Sequence, residues 1–272
     1  MATKKIDIPA GVAEAVTRRW PDLASAWLGG APDELERLCE RYEGRPVRAF
    51  QARYAFVVEI ATAHGRLVLR STSDPLGMDQ AEVSRELSRI DVGPRIYDVL
   101  QTPLSVWTVA ERIRPGNSLN GKTVSLERLA PLFQKMLDQK AANDGRSTLA
   151  DWLRSRLDDD NLSDLAPRSV RILPRERRRA LSVLEDLEAS SPNTICHGDT
   201  SSGNILVGPD ERLFLIDPRG ISGDVCYDVA VAAWKTARDG EIRIRATDLA
   251  RIVGVDATRV EAWLEVARAA RV

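Results

Sequence analysis

Residues 10 to 42 carry their apolar positions in a helical pattern, and Pro21 and the Leu28–Pro32 stretch predict that this preface breaks into at least two helices. From Pro46 the texture changes. "PVRAFQ", "RYAFVVEIAT" and "RLVLRS" are short runs rich in Val, Leu and aromatic residues, and the turn Ala63-His64-Gly65 joins the last two into a hairpin. A helix follows over Met78–Ile90, with Asp79 placed to cap it, and then two more strands, "RIYDVL" and "LSVWTVAERI". Beyond Gly116 the pattern predicts helices at Leu126–Lys140, Leu149–Leu157, Pro174–Ala189 and Asp228–Arg238, with two more at the C-terminus. One compact strand–turn–strand, Asn204–Asp217, interrupts them. The expected class is α+β, with a small sheet-bearing lobe at 1–113 (helical preface 10–42) and a larger helical lobe at 114–272.

That order decides how one motif is read. Gly116, Gly121, Lys122 and Thr123 have the spacing of a phosphate-binding P-loop, and "RLFLID" imitates the apolar strand whose terminal Asp holds magnesium in such proteins. A P-loop belongs to a parallel sheet of repeated strand–helix units. Here roughly 70 residues separate Lys122 from the next strand. The segment is therefore expected to be a connecting loop in which Thr123 or Ser125 caps the following helix.

Composition narrows the partners. The chain has 272 residues and a formal net charge of −1, which gives no electrostatic reason to expect nucleic acid. It holds 33 Arg but only six Lys, so Lys-dependent chemistry has few candidates. Cys39, Cys196 and Cys226 are odd in number and lack metal spacing, and only His64 and His197 could join them; this argues against a disulfide framework or structural zinc and suits a reducing cytosol. No signal-peptide pattern and no run of about 20 apolar residues is present, so a cytoplasmic protein without a membrane partner is expected.

The chemistry concentrates in "ICHGDTSSGNILVGPDERLFLIDPRGISGDVCYDVA", Ile195–Ala230. If Val207 pairs with Arg212 across the turn, Asn204 faces Leu215, and Asp217 lies one pleat repeat further on the same face. The Asn204 amide oxygen and the Asp217 carboxylate would then converge on one ion. Hard oxygen donors without His or Cys suit magnesium carrying nucleotide phosphates. Asp199, on the same loop, could accept or orient the proton of a substrate hydroxyl. His197 is read as bracing the loop. Taken singly, these residues fit a turn-forming Asp, a strand-end cap and a turn initiator; together they point to a magnesium site.

The segments "HGDTSSGNIL", "LIDPRG" and "GDVCYDVA" resemble the catalytic region of the aminoglycoside phosphotransferase family, small-molecule kinases with a protein-kinase-like fold. "AWLGGAPDELERLCERYEG" adds likeness to the branch that phosphorylates streptomycin or hydroxyurea. The resemblance implies a bilobal fold, Asp199 as catalytic base, Asn204 and Asp217 as magnesium ligands, and Asp228 as a buttress of the loop. It also implies ATP or GTP as donor, a hinge at about 110–116 whose backbone at Ala110, Glu111 and Arg112 holds adenine, and a small-molecule hydroxyl as acceptor. An aminoglycoside such as streptomycin, inactivated to give resistance, is the leading acceptor; a tuberactinomycin-type peptide (viomycin or capreomycin), hydroxyurea or a sugar is the alternative. Two departures from the family stand out. Arg70 occupies the position of the usual phosphate-contacting Lys, with Glu86 as its expected partner, and "RAFQARYAF" lacks the glycines of a phosphate-covering loop. They keep open a second class, a kinase-like nucleotide-binding module with weak turnover. In "RLDDDNLSDLA", Asp158, Asp159 and Asp160 would attract a cationic acceptor, or form a solvated acidic helix end.

Overall fold

Pro21 starts a helix where a missing amide donor costs nothing. In the structure, a computed structural model describing residues 6–142, 145–159, 162, 165, 172–237 and 240–272, α1 (Ala10–Arg19) therefore gives way at Trp20 to α2 (Pro21–Arg41). Helix α2 runs unbroken through Gly29, Gly30 and Pro32, where a second break was expected. Packing overrides propensity here. Ala24, Trp27, Ala31, Leu35 and Leu38 form a continuous buried stripe, and a Cβ at Gly30 would lie 2.2 Å from Leu104 Cδ1. Gly30 thus permits a close approach and does not end the helix.

The strands β1 (Arg45–Phe50), β2 (Phe56–Thr62) and β3 (Gly65–Thr72) precede α3 (Gly77–Arg89), and β4 (Ile96–Gln101) and β5 (Val106–Glu111) follow it. They form one antiparallel sheet in the order β1-β2-β3-β5-β4. Alternation sorts its two faces. Phe56, Val58, Ile60, Leu69, Trp107 and Val109 join Val12, Val16, Trp27 and Leu35 in a first core. On β2 the intervening position 59 carries a buried glutamate that receives Arg48, Arg66 and Arg112 at 3.1, 3.1 and 3.3 Å.

The rest of the chain forms β6 (Asn117–Ser118), α4 (Leu126–Met136), α5 (Leu149–Asp158), α6 (Pro174–Ala189), β7 (Thr194–Cys196), β8 (Ile205–Val207), β9 (Leu213–Leu215), β10 (Ile221–Gly223), α7 (Val225–Lys235), α8 (Ile242–Val253) and α9 (Ala257–Ala269). Helix α7 is buried at every position from Val225 to Ala233 and packs against α8 and α9. The P-loop look-alike supplies the edge strand β6 of a small sheet of order β6-β8-β9. Gly116 N–H donates to Val207 O (2.8 Å), Leu119 N–H to Ser202 O and Ile205 O (3.0 and 3.1 Å), and Lys122 N–H to Leu119 O (2.9 Å). These amides are engaged within the protein and cannot cradle a phosphate as a P-loop does. Ser125 takes the N-cap position of α4, although its side chain makes no capping hydrogen bond.

The chain divides into two compact units, one of residues up to Ala81 with Pro94–Arg112, the other of Glu82–Gly93 with Ile113–Val272. Residues 82–93 therefore group with the helical unit. Hydrophobic burial explains it. Val83, Leu87 and Val92 join the second core with Leu129, Phe133 and Leu215, and Leu215 N–H donates to Val92 O at 2.7 Å. Within that unit both carboxylate oxygens of Glu86 are gripped by Arg146, each at 3.0 Å. In the sheet-bearing unit, Arg70 Nη2 donates to Gln80 Oε1 (2.9 Å), and Gln80 in turn donates to Asp74 (2.9 Å).

Arg146→Ala would leave the Glu86 carboxylate buried without its partner. It is expected to lower unfolding free energy by about 3–5 kcal/mol in urea titration, and a paired Glu86→Leu, Arg146→Met variant to recover most of that. A loss within ~0.5 kcal/mol, as at ordinary surface positions, would refute a structural role for the pair.

Candidate active site

Asp224 opens α7 by accepting the Cys226 N–H at 2.9 Å, and its other oxygen takes Trp263 Nε1 (2.7 Å) and Arg259 Nε (2.5 Å). So anchored, the first turn of α7 directs the wholly buried Asp228 at the loop after β7. Its Oδ2 accepts the His197 N–H (2.8 Å), its Oδ1 the Gly198 N–H (2.9 Å), and its main-chain oxygen the Thr200 hydroxyl (2.7 Å). Burial pushes the Asp228 carboxyl up to about 7, against the two amides that favour its charged form.

His197 carries this restraint onward. Its Nδ1 accepts the Asp199 N–H at 3.2 Å, which assigns the proton to Nε2, and Nε2 donates to Ile216 O at 2.9 Å. Burial holds its pKa below the usual imidazole value, so the ring stays neutral as that tautomer requires. One imidazole therefore joins the backbone of Asp199 to the residue preceding Asp217. Gly198 between them sits at φ +79°, and a Cβ there would come within 2.8 Å of Ile221 Cδ1, so only glycine fits without a shift.

The β8–β9 register differs by one residue from the expected pairing. Val207 lies opposite Leu213, Leu206 opposite Phe214 and Ile205 opposite Leu215. The turn sets this offset: Gly208 N–H donates to Arg212 O (2.7 Å), and Asp210 and Glu211 take left-handed φ values of 50° and 60°. Asn204 consequently ends a 3₁₀ turn (Ser202–Asn204) opposite Ile216, whose N–H donates to Asn204 O at 3.0 Å. Asp217 is not extended but left-handed at φ 60°, a conformation Asp tolerates better than most residues. The shared strand face expected for Asn204 and Asp217 does not exist; a main-chain hydrogen bond and a left-handed turn link them instead.

The Asn204 amide is oriented. Its Nδ2 donates to Asp199 O at 3.0 Å, leaving Oδ1 as an acceptor without a protein donor among the described residues. With the exposed Asp217 carboxylate it supplies hard oxygen donors, the chemistry magnesium prefers. No group of three or more His, Cys, Asp or Glu is placed to hold a metal among the described residues, so a cation here would complete its shell from phosphate and water.

Sequence reasoning gave no role to Arg219. Its Nη2 lies 3.3 Å from Asp199 Oδ2, its Nε donates to Gly198 O (3.3 Å), and its N–H donates to His197 O (2.9 Å). The guanidinium lies 4.2 Å from the centre of the Trp152 ring on α5. The available signal was a basic residue two positions after Asp217 in "IDPRG".

The other expected residues are placed as follows. Ala110 and Glu111 close β5, and the Glu111 N–H, one of the amides expected at adenine, donates to Arg95 O (2.8 Å) within the sheet. The Arg112 side chain bonds Glu59 at 3.3 Å and lies 5.2 Å over Phe50. Asp158 ends α5 and is exposed, as is Asp159, whose main-chain oxygen accepts from Arg177 (3.2 Å) and Arg271 (2.5 Å). Asp160, like Asp164 beside it, lies outside the described residues.

Residues 38–263 match the phosphotransferase enzyme family, which carries the aminoglycoside phosphotransferases. The chain belongs to this family. It is 25% identical to streptomycin 6-kinase of Streptomyces glaucescens over 285 residues, covering 97% of this chain and 89% of that protein. It is 31% identical to hydroxyurea phosphotransferase of Kitasatospora aureofaciens over 86 residues, a match that spans 32% of this chain and a quarter (25%) of that relative's length. The solved spectinomycin phosphotransferase, in complex with ADP and spectinomycin, superposes with a TM-score of 0.60 at 12% identity, covering 87% of this chain and 84% of that one. The fold is kinase-like.

Asp228 makes stability depend on pH in a definite direction. Its folded pKa of about 7 exceeds the ordinary 3.8, so between those values the folded protein holds a proton that the unfolded chain releases. The resulting stabilisation is fully present below about pH 4 and is lost as pH rises through about 7. Asp228→Asn lacks this titration, so the wild-type stability measured relative to the variant in urea should fall across that window. A difference that is flat with pH would show that the carboxyl does not titrate in the fold.

Proposed function

We propose that the protein transfers the γ-phosphoryl group of ATP or GTP to a hydroxyl of a small molecule, with Asp199 as base and Asn204 and Asp217 as magnesium ligands. The observation that carries this reading is the His197-centred frame, which ties Asp199 to the strand end before Asp217 while Asn204 bonds the Asp199 carbonyl. Membership of the phosphotransferase enzyme family supports the reaction class, and ADP bound to the spectinomycin phosphotransferase supports a nucleotide donor.

In this reaction the acceptor oxygen attacks the γ-phosphorus and its proton passes to the Asp199 carboxylate. The bond from γ-phosphorus to the β–γ bridging oxygen breaks, and its electron pair leaves with the nucleoside diphosphate. Arg219 orients the Asp199 carboxylate, and His197 and Asp228 hold the loop so that the base is placed before substrate arrives. Magnesium, held by Asn204 Oδ1 and Asp217, would neutralise charge on the phosphates. Arg70 would offer a phosphate a planar fork in place of an ammonium.

Similarity to streptomycin 6-kinase along 97% of the chain favours an antibiotic acceptor and resistance by inactivation. The relatives leave the acceptor's charge open, since streptomycin is a polycation and hydroxyurea is neutral. A viomycin-type peptide or a sugar fits the same reaction. Among the described residues no helix is long and apolar enough to cross a membrane, which agrees with action in the cytoplasm on a nucleotide pool.

Asp199→Asn should lower kcat by about 10²–10⁴-fold while nucleotide binding persists, measured as magnesium-dependent phosphate transfer from labelled ATP or GTP to a panel of antibiotics and sugars. Asn204→Ala should raise the magnesium concentration needed for half-maximal turnover. An Asp199→Asn variant as fast as wild type would remove the base. Nucleotide binding with no acceptor-dependent turnover across the panel would favour the binding-module reading.

A further inference from the structure

Two separate restraints meet at Asp199. One runs through Asp228 and His197 and fixes its main chain. The other reaches its carboxylate through Arg219. The main chain of Arg219 leads into the β7–β10 ladder: its N–H donates to His197 O at 2.9 Å, and Ile221 pairs with Cys196 just beyond. Its guanidinium bonds Gly198 O through Nε and Asp199 Oδ2 through Nη2, both at 3.3 Å. These distances lie past the usual N–H···O range of about 2.7–3.2 Å, so the two bonds alone hold the fork only weakly. Asp199 Oδ1 has no protein donor among the described residues.

The closer contact is with Trp152 on α5, whose ring centre lies 4.2 Å from the guanidinium. That ring is itself held. It stands edge-on to the wholly buried Tyr227 at 6.4 Å, Tyr227 stands edge-on to Trp263 at 5.8 Å, and Trp263 Nε1 donates to Asp224, the residue that caps α7. Arg156 lies 5.4 Å from the same ring, with its own donors fixed on the main-chain oxygens of Ala270 (3.0 Å) and Arg271 (2.8 Å). The platform under Arg219 and the helix that presents Asp228 are thus packed into one core. We propose that Trp152 is a positioning residue for phosphoryl transfer: its ring fixes the Arg219 guanidinium, Arg219 fixes Asp199 Oδ2, and Asp199 Oδ1 is left as the atom that takes the proton of the attacking hydroxyl. Arg219 does not give up a proton, so Oδ2 stays a hydrogen-bond acceptor while Oδ1 becomes O–H. The hydroxyl oxygen bonds to the γ-phosphorus, and the electron pair of the broken bond leaves with the nucleoside diphosphate.

The proposal rests on the phosphotransfer reading, and a double-mutant cycle tests it apart from that reading. With magnesium and ATP, and the best acceptor of the antibiotic and sugar panel, Arg219→Gln should lower kcat by about 10²-fold with KM for ATP unchanged, because a misplaced base costs turnover and not nucleotide affinity. Arg219→Lys should be nearly as slow, since an ammonium keeps the charge but loses the fork and the ring contact. Trp152→Leu should lower kcat by about tenfold, and Trp152→Phe, which keeps a ring face, should restore most of it. The deciding arm is the double variant: in the Arg219→Gln background Trp152→Leu should cost less than about twofold, because the residue it acts through is already gone. Should Trp152→Leu fail to fold, Trp152→Met closes the same cycle. The contact is also read without turnover, as the change in tryptophan emission caused by Arg219→Gln, which should vanish in a Trp152→Phe background.

Costs that add in the double variant would overturn the proposal, since they would reduce Trp152 to a packing residue. A rise in KM for ATP at unchanged kcat in Arg219→Gln would overturn it by assigning the guanidinium to the nucleotide, and a rise in KM for the acceptor alone would assign it to acceptor binding. Each of these leaves the phosphotransfer reading standing. A wild-type protein that transfers phosphate neither to any acceptor nor to water would sink both.

Discussion

The buried carboxylate of Asp228 is the constraint from which the rest of the site follows. A charge with no exposure to water must find donors in the protein, and among those it finds are two consecutive amides of the loop after β7. Fixing those amides fixes the His197 ring, whose nitrogens reach Asp199 on one side and Ile216 on the other. The helix that presents Asp228 is itself buried on all sides and secured at its N-terminus by Asp224, Arg259 and Trp263. Positional accuracy is thus built on a core helix and only then delivered to a loop. Phosphoryl transfer needs that ordering, because its catalysis is mostly placement and charge neutralisation.

Much of this was legible in the chain. The sheet strands, α3, and the hairpin carrying Asn204 and Asp217 all follow from local pattern, since each has periodicity and turn chemistry that agree. The hairpin register did not follow, because Asp210 and Glu211 adopt left-handed conformations that their residue types permit but do not announce. A single residue of slip moved Asn204 from the face of a strand to the end of a 3₁₀ turn. Residues 82–93 group with the helical unit for a reason that local pattern does not carry. Sequence pattern shows that Val83 and Leu87 want burial, but not which core receives them. The partner of Glu86, Arg146, is 60 residues away with no local signal. The unbroken course of α2 through Gly30 and Pro32 belongs to the same category, where tertiary contact outweighs propensity.

The preference for arginine over lysine, 33 to six, has a structural counterpart. Arg146 binds both oxygens of one carboxylate, Arg259 spans Asp224 and the Leu187 and Ser190 carbonyls, and Arg156 and Arg177 close carbonyls at helix ends. Each use needs a planar fork with several donors, which an ammonium on a flexible stem does not supply.

Arg70 and the glycine-poor β1–β2 connection belong to the sheet-bearing unit, whereas Asp199, Asn204, Asp217, Arg219, His197 and Asp228 all belong to the other. The two groups of residues can therefore vary with different consequences. Changes in the sheet-bearing unit leave the frame built by His197 and Asp228 untouched, and under the proposed function they would bear on how the nucleotide is held. A chain that had lost its chemistry would be under no constraint to keep a neutral buried imidazole, a glycine at positive φ and an ionisable carboxyl in the core, each of which is unfavourable in isolation. Their presence together around Asp199 agrees with membership of the phosphotransferase enzyme family, and under the proposed function the departures at Arg70 and its preceding loop would bear on nucleotide recognition alone.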